Sequence, residues 1–193
     1  SINLQNNNSV QEEIVGAISL GHLEGSMEKE DKDRLLATLD LSNRSVEEIM
    51  LHRSEIEMID ADSEPEIILK QCLTSSYTRL PIFKQDQENI IGVMHAKSLL
   101  RAVNIQKNGK SSKFSDQNIL DVAMKPYFIL ETTLLDDQLK EFLKRRAHFA
   151  LVVDEYGALQ GLLTLEDIIE EIVGEINDEH DDITEIEPEN SRD

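Results

Sequence analysis

Two short segments carry the side chains best suited to ligand chemistry. Gly161-Leu-Leu-Thr-Leu-Glu-Asp167 has the form G-h-h-T-x-x-D, with h apolar, and passes from a strand-like run into a helical one. Thr164 and Asp167 therefore fall at a helix start, where unpaired backbone N–H groups and the helix dipole favour negative charge. The Asp167 carboxylate can accept hydrogen bonds from both hydroxyls of a ribose, and the Thr164 hydroxyl can hold a nearby polar atom or a phosphate. Thr-x-x-Asp is equally a capping-box pattern that only starts the helix. The two roles are compatible. The other segment, Gly92-Val-Met-His-Ala-Lys-Ser98, has Ser98 where the first has Asp167. A hydroxyl makes fewer ribose hydrogen bonds than a carboxylate, so one competent site is expected at Asp167 and a weak or empty one at Ser98.

Catalytic chemistry is not legible. The five histidines (His22, His52, His95, His148, His180) are scattered and none shows HExxH spacing. There is no nucleophile–base–orienter arrangement and no Gly-rich phosphate loop of the Walker type, so neither an enzyme nor a metal site is expected. The single cysteine, Cys72, cannot form an intramolecular disulfide and lies in an apolar helical stretch. It reads as an inert buried thiol, in keeping with a reducing cytosolic setting.

Charge excludes more. A net charge of −20 repels nucleic acid and anionic membrane surfaces. A nucleotide polyphosphate would need local Arg, Lys or Mg²⁺ to offset that field. Half of the charge lies in Glu170–Asp193, with 11 acidic residues against one Arg. That run reads as a solvated helix end followed by a disordered tail. No segment approaches the roughly 20 apolar residues that cross a bilayer, and no signal peptide opens the chain. A soluble segment is expected.

The elements that position these residues come twice. Residues 1–8 are polar and read as a disordered start. Helices follow, one with an apolar stripe of Val10, Ile14, Ala17, Ile18 and Leu20, and one with Leu35, Leu36 and Leu39. A first unit opens at Val46–Met50, with Ser45 and Glu48 spaced as a capping box. It continues with a strand at Ile56–Ile59, a helix capped by Ser63, and a strand at Leu80–Phe83. A polar turn at Lys84–Asn89, a strand at Ile90–Met94 and a helix through Leu99 and Leu100 complete it. A second unit opens at Ile119–Met124 and runs through a strand at Tyr127–Leu130, a helix at Leu134–Arg146 and a strand at Phe149–Val153. A turn at Asp154–Gly157, a strand at Leu159–Leu163 and a helix at Thr164–Val173 close it. Met50 and Met124, Gly92 and Gly161, and the strands beginning at Leu80 and Ala150 correspond at a spacing of about 70 residues. The fold class is α/β (α+β): tandem β-α-β-β-α repeats with pseudo-twofold symmetry, preceded by N-terminal helices. The organisation is residues 1–44 as polar start and helical linker, 45–105 as repeat 1, 106–116 as linker, 117–173 as repeat 2 and 174–193 as acidic tail. Units this small bury a sheet poorly alone, so the repeats pack face to face with ligand clefts between them.

This order, together with the Met at each opening and the G-h-h-T-x-x-D motif, resembles the CBS domain. The segments Val46–Arg53, Tyr77–Ile82, Gly92–Leu99, His148–Gly157 and Gly161–His180 are similar to the CorB/CorC, hemolysin-related and CNNM branch, implicated in Mg²⁺ and Co²⁺ transport. The resemblance implies a regulatory module that binds AMP or ATP, with Mg²⁺ as an accompanying cation, and gives Asp167 the role of ribose reader. It places the strand entrances Thr78–Arg79 and His148–Phe149–Ala150 beside the nucleotide, Arg79 toward phosphate and Phe149 on adenine. Tyr127, Phe128 and Ile129 then line the adenine wall. A homodimer formed by the repeats is also implied, with Ile168, Ile169 and Ile172 as a candidate apolar face. So are a transmembrane domain elsewhere in a longer parent, a place on the cytoplasmic face of the membrane, and signal transfer through residues 10–40. The alternative is a dimerisation or scaffolding module with a vestigial ligand site.

Overall fold

The computed structural model describes residues 2–99, 101 and 121–174, the first eight of these by backbone alone. The linker 106–116, Ile119 and the tail beyond Gly174 lie outside the described residues. The chain divides into two compact units: Asp40–Ile168, and the residues through Leu39 together with those from Ile169.

The larger unit holds two sheets. One has the order β2-β3-β4, from β2 (Ile59–Asp60), β3 (Arg79–Lys84) and β4 (Asp86–His95). The other has the order β1-β7-β6-β5, from β1 (Leu51–His52), β5 (Phe128–Leu130), β6 (Phe149–Val153) and β7 (Leu159–Thr164). β6 takes the centre of its sheet because Phe149-Ala-Leu-Val-Val153 is apolar on both faces; Ala150, Leu151 and Val152 are fully buried. It pairs parallel to β5 and antiparallel to β7. β3 is its counterpart, parallel to β2 and antiparallel to β4. Pro81, which cannot donate to a ladder, lies just outside the two residues that β2 pairs.

Helices cover the sheets. The first, labelled α3 because two precede it in the chain, is Pro65–Thr74. Its N-cap is Glu64 with Pro65 in the first turn, not Ser63; proline's fixed φ suits that first position. α4 (Leu135–Arg145) buries Leu135 and Phe142 and ends on Arg146 in the left-handed region. α5 (Leu165–Val173) buries Leu165 and Ile168. Ile168 is therefore core and cannot serve a dimer face, whereas Ile169 is exposed. Cys72 is buried on α3, and burial pushes its thiol up to about 11.

The smaller unit holds α1 (Ile2–Leu23) and α2 (Lys29–Asp40, whose last residue belongs to the larger unit). Helix therefore begins at Ile2, where a disordered start was expected, since propagation past Asn costs only about half a kcal/mol per residue. Val10, Ile14 and Leu20 of the expected stripe are exposed. Gly25 (φ 75°) turns the chain, with Ser26 N–H and Oγ both donating to Gly21 O at 3.0 and 2.9 Å.

Three strand expectations are corrected. The strand expected at Ile56–Ile59 is Ile59–Asp60, and the polar turn shrinks to Gln85 in the left-handed region (φ 65°), with β4 beginning at Asp86. Asp86–Asn89 continue the ribbon because polar residues tolerate an exposed strand end. β1 was not anticipated at all.

That missed strand shows how the repeats interlock. The opening of repeat 1 pairs with the last strand of repeat 2, Leu51 with Leu162 and His52 with Gly161. The opening of repeat 2 bridges the last strand of repeat 1, Val93 and Met124 exchanging N–H···O bonds of 2.9 Å in both directions. Each crossing passes over a glycine. A Cβ on Gly161 would strike Leu51 O and meet Met50 Sδ at 2.8 Å, and one on Gly92 would meet Ala123 Cβ at 3.1 Å. A shared core fills the space between the sheets, with Ile90 and Val93 from one and Leu151, Leu159 and Leu162 from the other. At the rim Glu88 accepts from Leu159 N–H at 2.7 Å and from Arg53 Nη1 at 3.3 Å.

Gly161→Ala should lower stability by about 1–3 kcal/mol, because a backbone oxygen has to move to admit the methyl group. Gly92→Ala, which meets only a methyl, should cost less. Thermal unfolding of both variants tests the order, with about 2–4 °C expected per kcal/mol at this chain length.

Candidate functional site

The candidate residues gather at the junctions where each unit's last strand turns into a helix. At the second junction β7 ends on Thr164 and α5 begins. The Thr164 N–H donates to Asp167 Oδ2 at 2.7 Å, and Asp167 N–H donates to Thr164 Oγ1 at 3.2 Å. The capping box is thus present in both directions. It occupies one carboxylate oxygen; among the described residues nothing bonds to Oδ1. Both side chains are half-buried, so the carboxylate sits fixed and partly desolvated with one acceptor open.

β6 brings the strand entrance to this place. Phe149 lies opposite Thr164, and Ala150 opposite Leu163. His148 O accepts from Leu165 N–H at 3.2 Å, which ties the strand entrance to the helix start. His148 is exposed, with Nδ1 3.8 Å from Glu166 Oε1. Phe149 is half-buried against the shared core, while Ala150 is fully buried and offers only backbone and a close apolar surface.

Tyr127 and Phe128 come from the neighbouring strand. Tyr127 O accepts from Leu151 N–H at 2.8 Å, and Phe128 pairs with Leu151. Tyr127 meets Phe142 edge-on at 6.2 Å, with the Arg145 guanidinium 4.9 Å from its ring centre. Its ring is therefore already partnered. Phe128 is exposed and Ile129 buried, as alternation along β5 requires. Of the remaining basic residues, Lys144 and Arg145 pair with Glu141 at 3.1 and 2.8 Å.

The first junction repeats this frame with different side chains. Ala96 N–H donates to Thr78 O at 3.0 Å, matching the Leu165–His148 bond, and Arg79 lies opposite His95 as Phe149 lies opposite Thr164. His95 Nδ1 accepts from Lys97 N–H at 3.2 Å and takes the capping role of Thr164. Thr78 is exposed and Arg79 half-buried. Thr78 and Arg79 thus stand at the first junction, on the other sheet from Thr164 and Asp167, and among the described residues no hydrogen bond or ion pair joins the two pairs. His95, Lys97 and Glu166 were missed as candidates, although each stands inside a segment already singled out. The signal was their spacing from one another: His95 corresponds to Thr164, Lys97 to Glu166 and Ser98 to Asp167.

Two open clefts of about 700 and 340 Å³ belong to the smaller unit. The larger is lined by Gly25–Glu28, Asp31, Arg34 and Leu35, the other by α2 and the end of α5. Among the described residues no group of His, Cys, Asp and Glu has a metal-holding arrangement, and no helix is long and apolar enough to cross a membrane.

Comparison with known proteins agrees with this frame. The CBS domain family model matches residues 119–174. The magnesium and cobalt efflux protein CorC of Pasteurella multocida is 31% identical over 89% of this chain and 55% of its own length. The chain spans about half the length, or less, of the curated relatives it matches. The CBS domain of a bacterial CNNM/CorC family Mg²⁺ transporter, solved with an inhibitor, superposes with a TM-score of 0.75 at 32% identity, over 86% of this chain and 99% of that one. A CBS domain of that transporter family in complex with ATP gives 0.65 at 34% identity, over 75% and 98%. A CBS-domain pair with bound AMP from Klebsiella pneumoniae gives 0.60 at 35%, over 67% and 98%.

Replacing Asp167 tests the cap alone. Without ligand, Asp167→Ala should cost about 1 kcal/mol, the usual worth of a helix cap. Asp167→Asn, which keeps an acceptor for the Thr164 N–H, should cost less. Urea unfolding of the two variants separates them.

Proposed function

The chain belongs to the CBS domains of the CNNM/CorC transporter family, and on that premise we propose that it is the nucleotide-sensing module of a divalent-cation transporter. The carrying observation is the half-used carboxylate of Asp167: one oxygen holds the helix cap on Thr164, which lies opposite Phe149, and the other takes no hydrogen bond among the described residues. A carboxylate so fixed loses little entropy when it accepts ribose hydroxyls, and each charge-assisted bond contributes about 1.5–3 kcal/mol. In this reading Asp167 and Thr164 take the sugar, while His148, Phe149 and Ala150 line the base with Tyr127 and Phe128. Thr78 and Arg79 face the phosphates. The ATP and AMP complexes of similar CBS domains support an adenine nucleotide as the ligand. Mg²⁺ bound with it would offset repulsion from a chain of net charge −20.

The module acts by binding one conformation better than another, and its effect is limited to that difference in affinity. Its place in this reading is the cytoplasmic face of the membrane, as part of a longer protein that moves Mg²⁺ or Co²⁺. Exposed Ile67 and Leu73 on α3 and Leu143 on α4 favour self-association into a homodimer. The same faces would serve a pure scaffold, and ligand binding decides between the two readings.

Titration with AMP and ATP, with and without Mg²⁺, is the test. A ligand at 100 times its Kd should add about 2.7 kcal/mol of stability. Asp167→Ala should lose most of that gain. Sedimentation of the same samples reads the dimer. No heat and no thermal shift with either nucleotide would leave only the scaffold.

A further inference from the structure

The two repeats differ at one core position. Ile59 and Ile129 pair with the central strands at matching places, and Pro65 and Leu135 begin α3 and α4 at the same spacing of about 70 residues. On that register Ile68 of α3 corresponds to Gln138 of α4, and Cys72 to Phe142; all four are buried. Ile68 belongs to the apolar core of repeat 1, with Ile59, Leu80 and Ile82. Gln138 is only 2% exposed, and its Nε2 meets no hydrogen-bond acceptor among the described residues. A buried donor left unmade costs more than an average hydrogen bond returns. An apolar residue here, as in repeat 1, carries no such cost, so closed packing does not account for the glutamine.

The two helices also begin differently. Pro65 starts α3 with no N–H to satisfy. The first N–H groups of α4 are instead capped by a distant stretch of chain, Leu135 donating to Arg44 O at 2.9 Å and Asp136 to Leu41 O at 3.2 Å. The same stretch runs on antiparallel, with Val46 N–H donating to Thr133 O at 2.9 Å and Glu47 N–H to Glu131 O at 3.0 Å. Residues 41–47 thus form a strap along the start of α4 and the residues that follow β5. Leu41 and Val46 of the strap are buried.

We propose that residues 41–47 and the first turn of α4 form a latch that opens as a unit while both sheets stay intact, with Gln138 setting how readily it opens. The Gln138 amide gains a water partner only when the latch is open, so the closed latch is held less tightly than the core around it. Repeat 1 has no counterpart, because its helix carries its own start and an apolar residue at the matching position. α2 ends at Asp40, directly before the strap, so opening also frees the chain that joins α2 to the repeats. The latch operates whether or not a nucleotide binds.

Native-state hydrogen exchange on the full chain, read by NMR, tests it. The latch amides are Val46, Glu47, Leu135 and Asp136, and the Leu151 amide, bonded to Tyr127 O on the central strand, reports global unfolding. The four latch amides should share one protection factor, at least tenfold below that of Leu151. Gln138→Met, unbranched and suited to filling an irregular gap, should raise that factor at least tenfold. Leu151 should gain equally, because the amide is relieved in both openings. Latch amides as protected as Leu151 overturn the proposal, since no separate opening then exists. A gain at Leu151 alone overturns it too, since Gln138 then stays buried while the latch amides exchange. So does a Gln138→Met variant in which no amide gains protection, since the glutamine then carries no penalty to relieve.

Discussion

The arrangement depends on two backbone crossings, each made possible by a missing side chain. Leu51–His52 crosses β7 at Gly161, and Met124 crosses β4 beside Gly92. Each repeat supplies the edge cover of the other's sheet, so the strands that lead to the junctions are held from both sides. Without these crossings β4 and β7 would be edge strands with open hydrogen-bonding groups. The junctions at their ends would then lack a fixed position. The glycine that opens the G-h-h-T-x-x-D pattern is therefore a packing requirement, and the Thr and Asp that close it are positioned by what the glycine permits.

A common frame lets the two junctions differ in chemistry at no structural cost. Both begin a helix by having a side chain accept from a backbone N–H near the helix start, Thr164 from Asp167 and His95 from Lys97. Once the backbone is secured in this way, the side chains at the mouth are free to carry charge or to lose it. One junction holds a partly desolvated carboxylate with an open acceptor. The other holds cations that find no carboxylate among the described residues, in a chain where carboxylates are abundant. The two junctions thus carry different side chains at four corresponding positions of one shared frame.

Much of this could be read in the residues. Leu80–Phe83 and Phe149–Val153 were legible as strands because runs apolar on both faces admit little else, and the structure places them at Arg79–Lys84 and Phe149–Val153. The cap at Thr164 and Asp167 was legible because it is local, its two residues standing three positions apart. β1 was not, since a two-residue strand has no periodicity and its partner lies more than a hundred residues away. Ser63 misled because proline two residues on already fixes the helix start, leaving a polar cap unnecessary. At the first junction Ser98 was weighed alone as a lost carboxylate. Lys97 stood in the same segment, whereas Arg79 comes beside it only through its cross-strand pairing with His95.

The clasp formed by Glu88, Arg53 and Leu159 has a consequence for how such chains can be inherited. A carboxylate from the first half completes a main-chain amide of the second, and the guanidinium that steadies it comes from the first half's own opening segment. The segment 119–174 that the family model recognises is therefore not self-sufficient as a folding unit: its sheet lacks β1, its apolar face lacks Ile90 and Val93, and Leu159 lacks its acceptor. Each half thus completes the core of the other. A substitution in one half is then constrained by the surface of the other, while the mouths of the junctions, which touch neither crossing, are free of that constraint.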